Sequence, residues 1–153
     1  MNAMVGDVMS WTSLTIRPDC VADQALAILS EADAEALFVV DADDRFLGLI
    51  TGYELLKADL NGTLAESTAE QLMHRRPQTL GPQQSIGEAA KLFREASVSH
   101  VPVLRDGRLL GVIERKAVLR WVAAQRRSDA ESAIAAPKFL QRAGEISALP
   151  AGR

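Results

Sequence analysis

Aromatic side chains make up 5% of this 153-residue chain, cysteine occurs once and histidine twice. So few rings predict a core of Val, Leu, Ile and Ala and leave little material for base-stacking platforms. The lone Cys20 can form no internal bridge and has no CxxC partner for zinc, and His74 and His100 stand far apart, so a zinc or haem site is not expected. No apolar run approaches the roughly 20 residues that cross a bilayer. The opening MNAMVGDVMSW has neither the basic segment nor the apolar core of a signal peptide. A cytoplasmic protein without membrane attachment is therefore expected. Catalytic patterns are missing too. No cysteine or serine stands at motif spacing from a histidine, and the glycines fit neither the P-loop nor the dinucleotide-binding fingerprint, so the chain is not expected to be an enzyme.

What is present is ordinary in amount and unusual in arrangement. Apolar residues at 48% and charged residues at 24% are the proportions of a folded globular chain. The net charge of −3 conceals a division: residues 1–63 carry 11 acidic and 3 basic side chains, a net of −8, while residues 64–153 carry 9 acidic and 14 basic, a net of +5. Such opposition suits head-to-tail contact between subunits, or an anionic ligand drawn to the second half, as well as plain solvated surface. Five basic residues, Arg115, Lys116, Arg120, Arg126 and Arg127, fall along the last helical stretch. Glu114 and the acidic first half oppose a broad phosphate-binding face, so nucleic acid is not an expected partner.

Sliding the chain against itself exposes a tandem repeat. Met9 falls on Met73, Thr15 on Thr79, Pro18 on Pro82, Ala25 on Ala89, Leu29 on Phe93 and Val39 on Val103, all at a separation of 64. Gly48 then meets Gly111 at 63, because the turn DADDR is one residue longer than RDGR. A register held over some forty positions and shifted only at a turn marks duplicated units.

Each copy reads as strand, helix, two strands, helix. A short extended piece, SLTI or PQTL, meets Pro18 or Pro82. Val21, Ala25, Ile28, Leu29 and Ala32 then follow the spacing of a helix with one buried face, repeated by Ile86, Ala89, Ala90 and Phe93. Ser85 with Glu88 three residues on predicts a capping box, a signature the first of these helices lacks. ALFVV with FLGLI, and VPVL with LLGVI, predict hairpins, Asp106-Gly107 being the stronger turn signal. One such unit cannot cover its apolar sheet face alone. The expected fold is therefore α+β, two strand-helix-strand-strand-helix repeats packed through their sheets with pseudo-twofold symmetry. The boundaries read as 5–62 for the first repeat, 63–68 for a linker, 69–125 for the second and 126–153 for a C-terminal extension. Residues around Ala69 and Leu72-Met73 predict a short helical turn into the second repeat, and the last helix is expected from about Ala117 to at most Ala136. Beyond it, Phe139, Leu140 and Ile146 offer apolar contacts for a partner.

With VMSWTSLTI and LMHRRPQTL ahead of each helix, VPV at Val101–Val103, and the paired GLITGYELL and GVIERKAVL, the chain resembles a tandem pair of cystathionine beta-synthase (CBS) domains, the unit called a Bateman module. The likeness covers residues from about 5 to 125. It implies a non-catalytic regulatory module that binds an adenine nucleotide or adenosyl ligand between its repeats and pairs into a homodimer. AMP, ADP, ATP or S-adenosylmethionine are the implied regulatory ligands, none of them obligatory. A ligand-free dimerisation scaffold for an unidentified protein partner is the rival expectation.

The family's pattern places a hydroxyl on phosphate and a carboxylate on the ribose hydroxyls, both of which a carboxylate can accept. Carried over, the first copy supplies Thr51 and, where the family has Asp, Glu54. The second copy departs twice, with Glu114 at the hydroxyl position and Ala117 at the carboxylate position. At most one conventional nucleotide site is expected, or a ligand of another kind. Helix capping for Thr51 and a solvent-facing first-turn carboxylate for Glu54 are the structural alternatives. Thr15 and Thr79 resemble polar positions near a base pocket, and His100 lies beside the expected cleft, with edge packing as its alternative. Gly48 and Gly111 admit close approach either of a ligand or of another backbone.

Overall fold

The computed structural model describes residues 3–135. In chain order the first copy forms α1 (Val5–Val8), β1 (Thr15–Ile16), α2 (Ala22–Glu31), β2 (Ala36–Val40), β3 (Phe46–Thr51) and α3 (Gly52–Leu60). The second forms α4 (Ala69–Leu72), α5 (Ile86–Glu95), β4 (His100–Arg105), β5 (Arg108–Glu114) and α6 (Arg115–Ala135). Phe139, Leu140 and Ile146, expected to meet a partner, lie outside the described residues.

Both hairpins form where the aliphatic runs place them. β2, buried at every position, pairs antiparallel with β3, and β4 pairs with β5. Asp106 and Gly107 both take positive φ, 54° and 79°, as a two-residue hairpin turn requires. In the longer first turn the Asp41 carboxylate accepts the backbone N–H groups of Asp43 at 2.8 Å and Arg45 at 3.0 Å. These bonds, that of Arg45 foremost, hold the Asp41 carboxyl below its ordinary range.

The two sheets differ by one strand. β1 joins β2 in parallel, whereas the equivalent PQTL stretch makes a single bridge, Leu80 to Val103. The cause is one residue. Phe38 donates its N–H to Leu14 O at 2.9 Å, and the position 64 residues later is Pro102, which has no N–H to give. The ladder therefore shortens in the second copy, where a strand was expected.

Symmetry is visible bridge by bridge. Ser10 pairs with Val112 and His74 with Leu49; Met4 pairs with Ser85 and Thr68 with Val21. Arg45 pairs with Arg108, its own counterpart, so the pseudo-twofold axis passes between the two turns. Each lead-in segment thus crosses to the other copy. Ala69 and Met73 join Ile16, Leu29, Leu37, Ile50 and Leu55 in one core, while Val5 N donates to Gln84 O and Gly6 N to Pro82 O, both at 2.8 Å. A second cluster, Phe38, Leu49 and Val112 with Phe46 and Leu109, joins the sheets of the two copies.

This crossing also starts the helices. Ala22 N, first in α2, donates to Ser67 O at 2.8 Å, which replaces the missing side-chain cap, and Ile86 N donates to Ala3 O at 3.0 Å. At α5 the expected capping box is present, with Ser85 Oγ accepting from Glu88 N at 3.1 Å.

Candidate functional site

Beside each crossing the fold leaves a cleft. The first, about 430 Å³, is walled by Ser10, Thr12, Ser13 and Leu14, by Asp33–Ala36 after α2, by Phe38, and by His100, Val112, Glu114 and Lys116 of the second copy. Its counterpart, about 270 Å³, is walled by Leu49, His74, Arg76, Pro77 and Gln78, with Ala96, Val98 and His100. Small-ligand pockets run from roughly 300 to 1,000 Å³, a range the first cleft meets and the second approaches. Both draw walls from the two copies.

His100 anchors the first cleft. It faces Glu114 across the β4–β5 register, with Nε2 3.4 Å from Glu114 Oε2 and Nδ1 3.9 Å from Glu35 Oε1. Ser99 Oγ lies 2.8 Å from Nδ1, and Lys116 Nζ lies 3.5 Å from the other oxygen of Glu114. The Glu114 side chain is 29% exposed against 73% for Glu35, so its charge is the less screened by water. Asp33, at the end of α2, takes a left-handed φ of 51°, which an Asp tolerates.

Thr51 and Glu54 are brought together, but around the start of α3. Glu54 Oε1 accepts from Thr51 N at 2.6 Å and from Thr51 Oγ1 at 2.8 Å, while Tyr53 N donates to Thr51 Oγ1 at 3.3 Å. This is a reciprocal capping box. Glu54 therefore lines a separate hollow of about 390 Å³ with Lys57, Asn61 and His74. Replacing Thr51 with Ala should cost about 1 kcal/mol in urea unfolding, while T51S should retain most of it. A loss below about 0.3 kcal/mol would mean that the cap contributes nothing.

Thr15 and Thr79 are exposed and line neither cleft; Thr79 edges a groove beside α5 with Gln84, Glu88 and Lys91. Cys20 is half-buried, and burial, with the Asp19 carboxylate adding to it, pushes its thiol up. It is thus held in the protonated, weakly nucleophilic form at neutral pH.

The sequence pattern of the CBS domain matches residues 5–61 and 69–124. The chain belongs to the CBS domain family. A CBS domain-containing protein of Dictyostelium discoideum is 33% identical over 131 residues, which cover 78% of this chain and 90% of that protein. The homoserine O-acetyltransferase of Methanohalobium evestigatum is 25% identical over 122 residues, covering 79% of this chain but 24% of the enzyme. Among solved structures, CBSX2 in complex with AMP superposes with a TM-score of 0.74 at 26% identity, covering 81% of this chain and 98% of that one. The CBS domain pair of protein MJ0100, solved with 5′-methylthioadenosine and S-adenosylmethionine, shares the fold with a TM-score of 0.72 at 23% identity, covering 82% of this chain and 99% of that one.

In this CBS pair the cleft residues that sequence reasoning missed are Asp33, Glu35, Ser10 and Thr12. Their signal was present in the repeat register, which aligns Asp33 and Glu35 with Ser97 and Ser99, and Ser10 and Thr12 with His74 and Arg76. No helix among the described residues is long and apolar enough to cross a membrane.

Proposed function

We propose that this CBS pair is a non-catalytic cytoplasmic regulatory module that senses an adenine nucleotide or adenosyl compound in the clefts between its repeats. The observation that carries the reading is the first cleft, a mixed polar and apolar cavity of about 430 Å³ built at the seam of the two copies. Apolar Leu14, Ala36 and Val112 suit the faces of a purine, and the hydroxyls of Ser10, Thr12 and Ser13 suit its polar edges or a ribose. The likeness to a CBS pair that holds AMP supports it. Thr51, Glu54, Thr15, Thr79 and His100 are the proposed ligand residues; of these His100 lines both clefts, whereas the other four stand outside both walls, and Glu54 would have to leave its cap to reach a ribose. Repeats at 5–62 and 69–125, a linker at 63–68 and an extension from 126 complete the proposed organisation.

A homodimer is part of the proposal. On α3, Tyr53, Leu56 and Leu60 are exposed by 69%, 64% and 85% at helical spacing, an apolar stripe that a second copy would cover.

The test is isothermal titration with AMP, ADP, ATP and S-adenosylmethionine, after carried-over ligand has been stripped and checked by mass spectrometry. Saturable binding is expected, with stabilisation of about 2.7 kcal/mol at a hundredfold excess over Kd. In a chain of this size that raises Tm by roughly 5–10 °C. No heat and no thermal shift with all four would overturn the sensor reading.

A further inference from the structure

The two clefts are equivalent by symmetry and opposite in charge. Asp33, Glu35 and Glu114 stand in the wall of the first against a single ammonium, Lys116, a formal −2 from these four side chains. At the equivalent positions the second copy has Ser97 and Ser99, and the first copy has Thr51. Among the described residues the wall of the second cleft holds no carboxylate, and it carries Arg76 and His74 where the first has Thr12 and Ser10. The two clefts are thus one acidic and one basic, although Glu114 comes from the basic second half of the chain.

Resting on the ligand-binding reading above, we propose that this CBS pair sorts its ligands by charge. The first cleft takes an adenosyl compound without phosphate, either uncharged or cationic, and the second takes the phosphate-bearing nucleotide. Glu114 is the deciding residue. Its partly buried carboxylate occupies the place that Thr51 holds in the other copy, and Lys116 and His100 already engage its two oxygens. A phosphate seated there would face a like charge in a partly dehydrated wall, which is costly. A sulfonium or amine would complete the neutralisation that Lys116 begins. In the second cleft the Arg76 guanidinium can fork onto phosphate oxygens, and no carboxylate in that wall competes for it.

The experiment titrates the full chain with AMP and with 5′-methylthioadenosine, separately and together, in the wild type and in E114T and R76A. In the wild type, saturating AMP should leave methylthioadenosine binding intact, one of each per chain. E114T should admit a second AMP per chain, and R76A should weaken AMP by roughly tenfold while leaving methylthioadenosine unchanged. Competition between the two ligands for one wild-type site, or an AMP stoichiometry that E114T does not raise, would overturn the sorting while leaving the sensor reading standing. If neither AMP nor 5′-methylthioadenosine binds, the sorting falls, and the sensor reading falls with it only when ADP, ATP and S-adenosylmethionine also give no heat.

Discussion

Alanine at position 111 is expected to destabilise the protein by about 3 kcal/mol, the upper part of the range for overpacking a tight interior. A Cβ built on Gly111 would land inside the van der Waals envelope of the Ser10 carbonyl oxygen, 2.7 Å from Met9 Cε and 3.0 Å from Trp11 Cα. Two of those three atoms are backbone. They are held in place by the mutual hydrogen bonds of Ser10 and Val112, at 2.8 and 2.9 Å, so the strand can give way only by breaking the crossing. At Gly48 the same construction meets Met73 Cγ and Sδ at 2.7 Å and His74 O at 2.9 Å. A methionine side chain can swing aside, so G48A should cost less, about 1.5 kcal/mol. Gly52 has nothing within 4 Å of its added Cβ, and G52A should be neutral or slightly stabilising. Urea unfolding of the three variants ranks them. A G111A loss within about 0.5 kcal/mol of zero would show that the lead-in segment does not sit this close in solution.

The glycines also show where local reading stops. Gly48 and Gly111 aligned in the repeat, but whether a ligand or a backbone filled the space beside them depended on which segment arrived there. Periodicity describes a stretch and its own faces; it does not say that Met73 packs into the first core or that Ser10 reaches Val112 about a hundred positions away. The apolar sheet faces call for packing the two repeats together but not for the exchange of their lead-in segments, and the acidic wall of Asp33 and Glu35 shows in the sequence only as an alignment with Ser97 and Ser99. The hairpins, by contrast, were legible because Asp106-Gly107 and the aliphatic runs act locally. So was the Ser85–Glu88 box. The same Ser/Thr-x-x-Glu signature stands at Thr51–Glu54 and forms the same clasp, the capping alternative for Thr51, with Glu54 part of the clasp instead of a solvent-facing carboxylate. The shortened second sheet was also written in the chain, in the proline at 102 that removes a donor Phe38 supplies.

Truncating one core residue in either copy is expected to lower a single shared transition. Leu37 and Val101 are equivalent positions on β2 and β4, both fully buried. Leu37→Ala should cost about 3 kcal/mol and Val101→Ala about 2 kcal/mol, the transfer loss plus an unfilled cavity. If the copies were independent, each variant would melt its own half early and leave the other untouched. The crossed segments forbid that. Unfolding the first copy frees Ala69 and Met73 from its core and breaks the Ala22–Ser67 bond that ties down the lead-in to the second. Unfolding the second copy releases Val5, Gly6 and Ser10 from Gln84, Pro82 and Val112, and with them the chain that enters β1. Each half therefore holds a piece of the other's boundary, and all-or-none unfolding follows. Far-UV dichroism and tryptophan fluorescence, the latter including Trp11 in the crossing segment, should trace one coincident curve in the wild type and in both variants. Two separated transitions in L37A, with the fluorescence change confined to one of them, would mean that the crossings bind too weakly to couple the repeats. A ligand seated at the seam could then bias one copy without the other. One transition means instead that either cleft reports on the stability of the whole pair, which is the coupling that a two-input sensor requires.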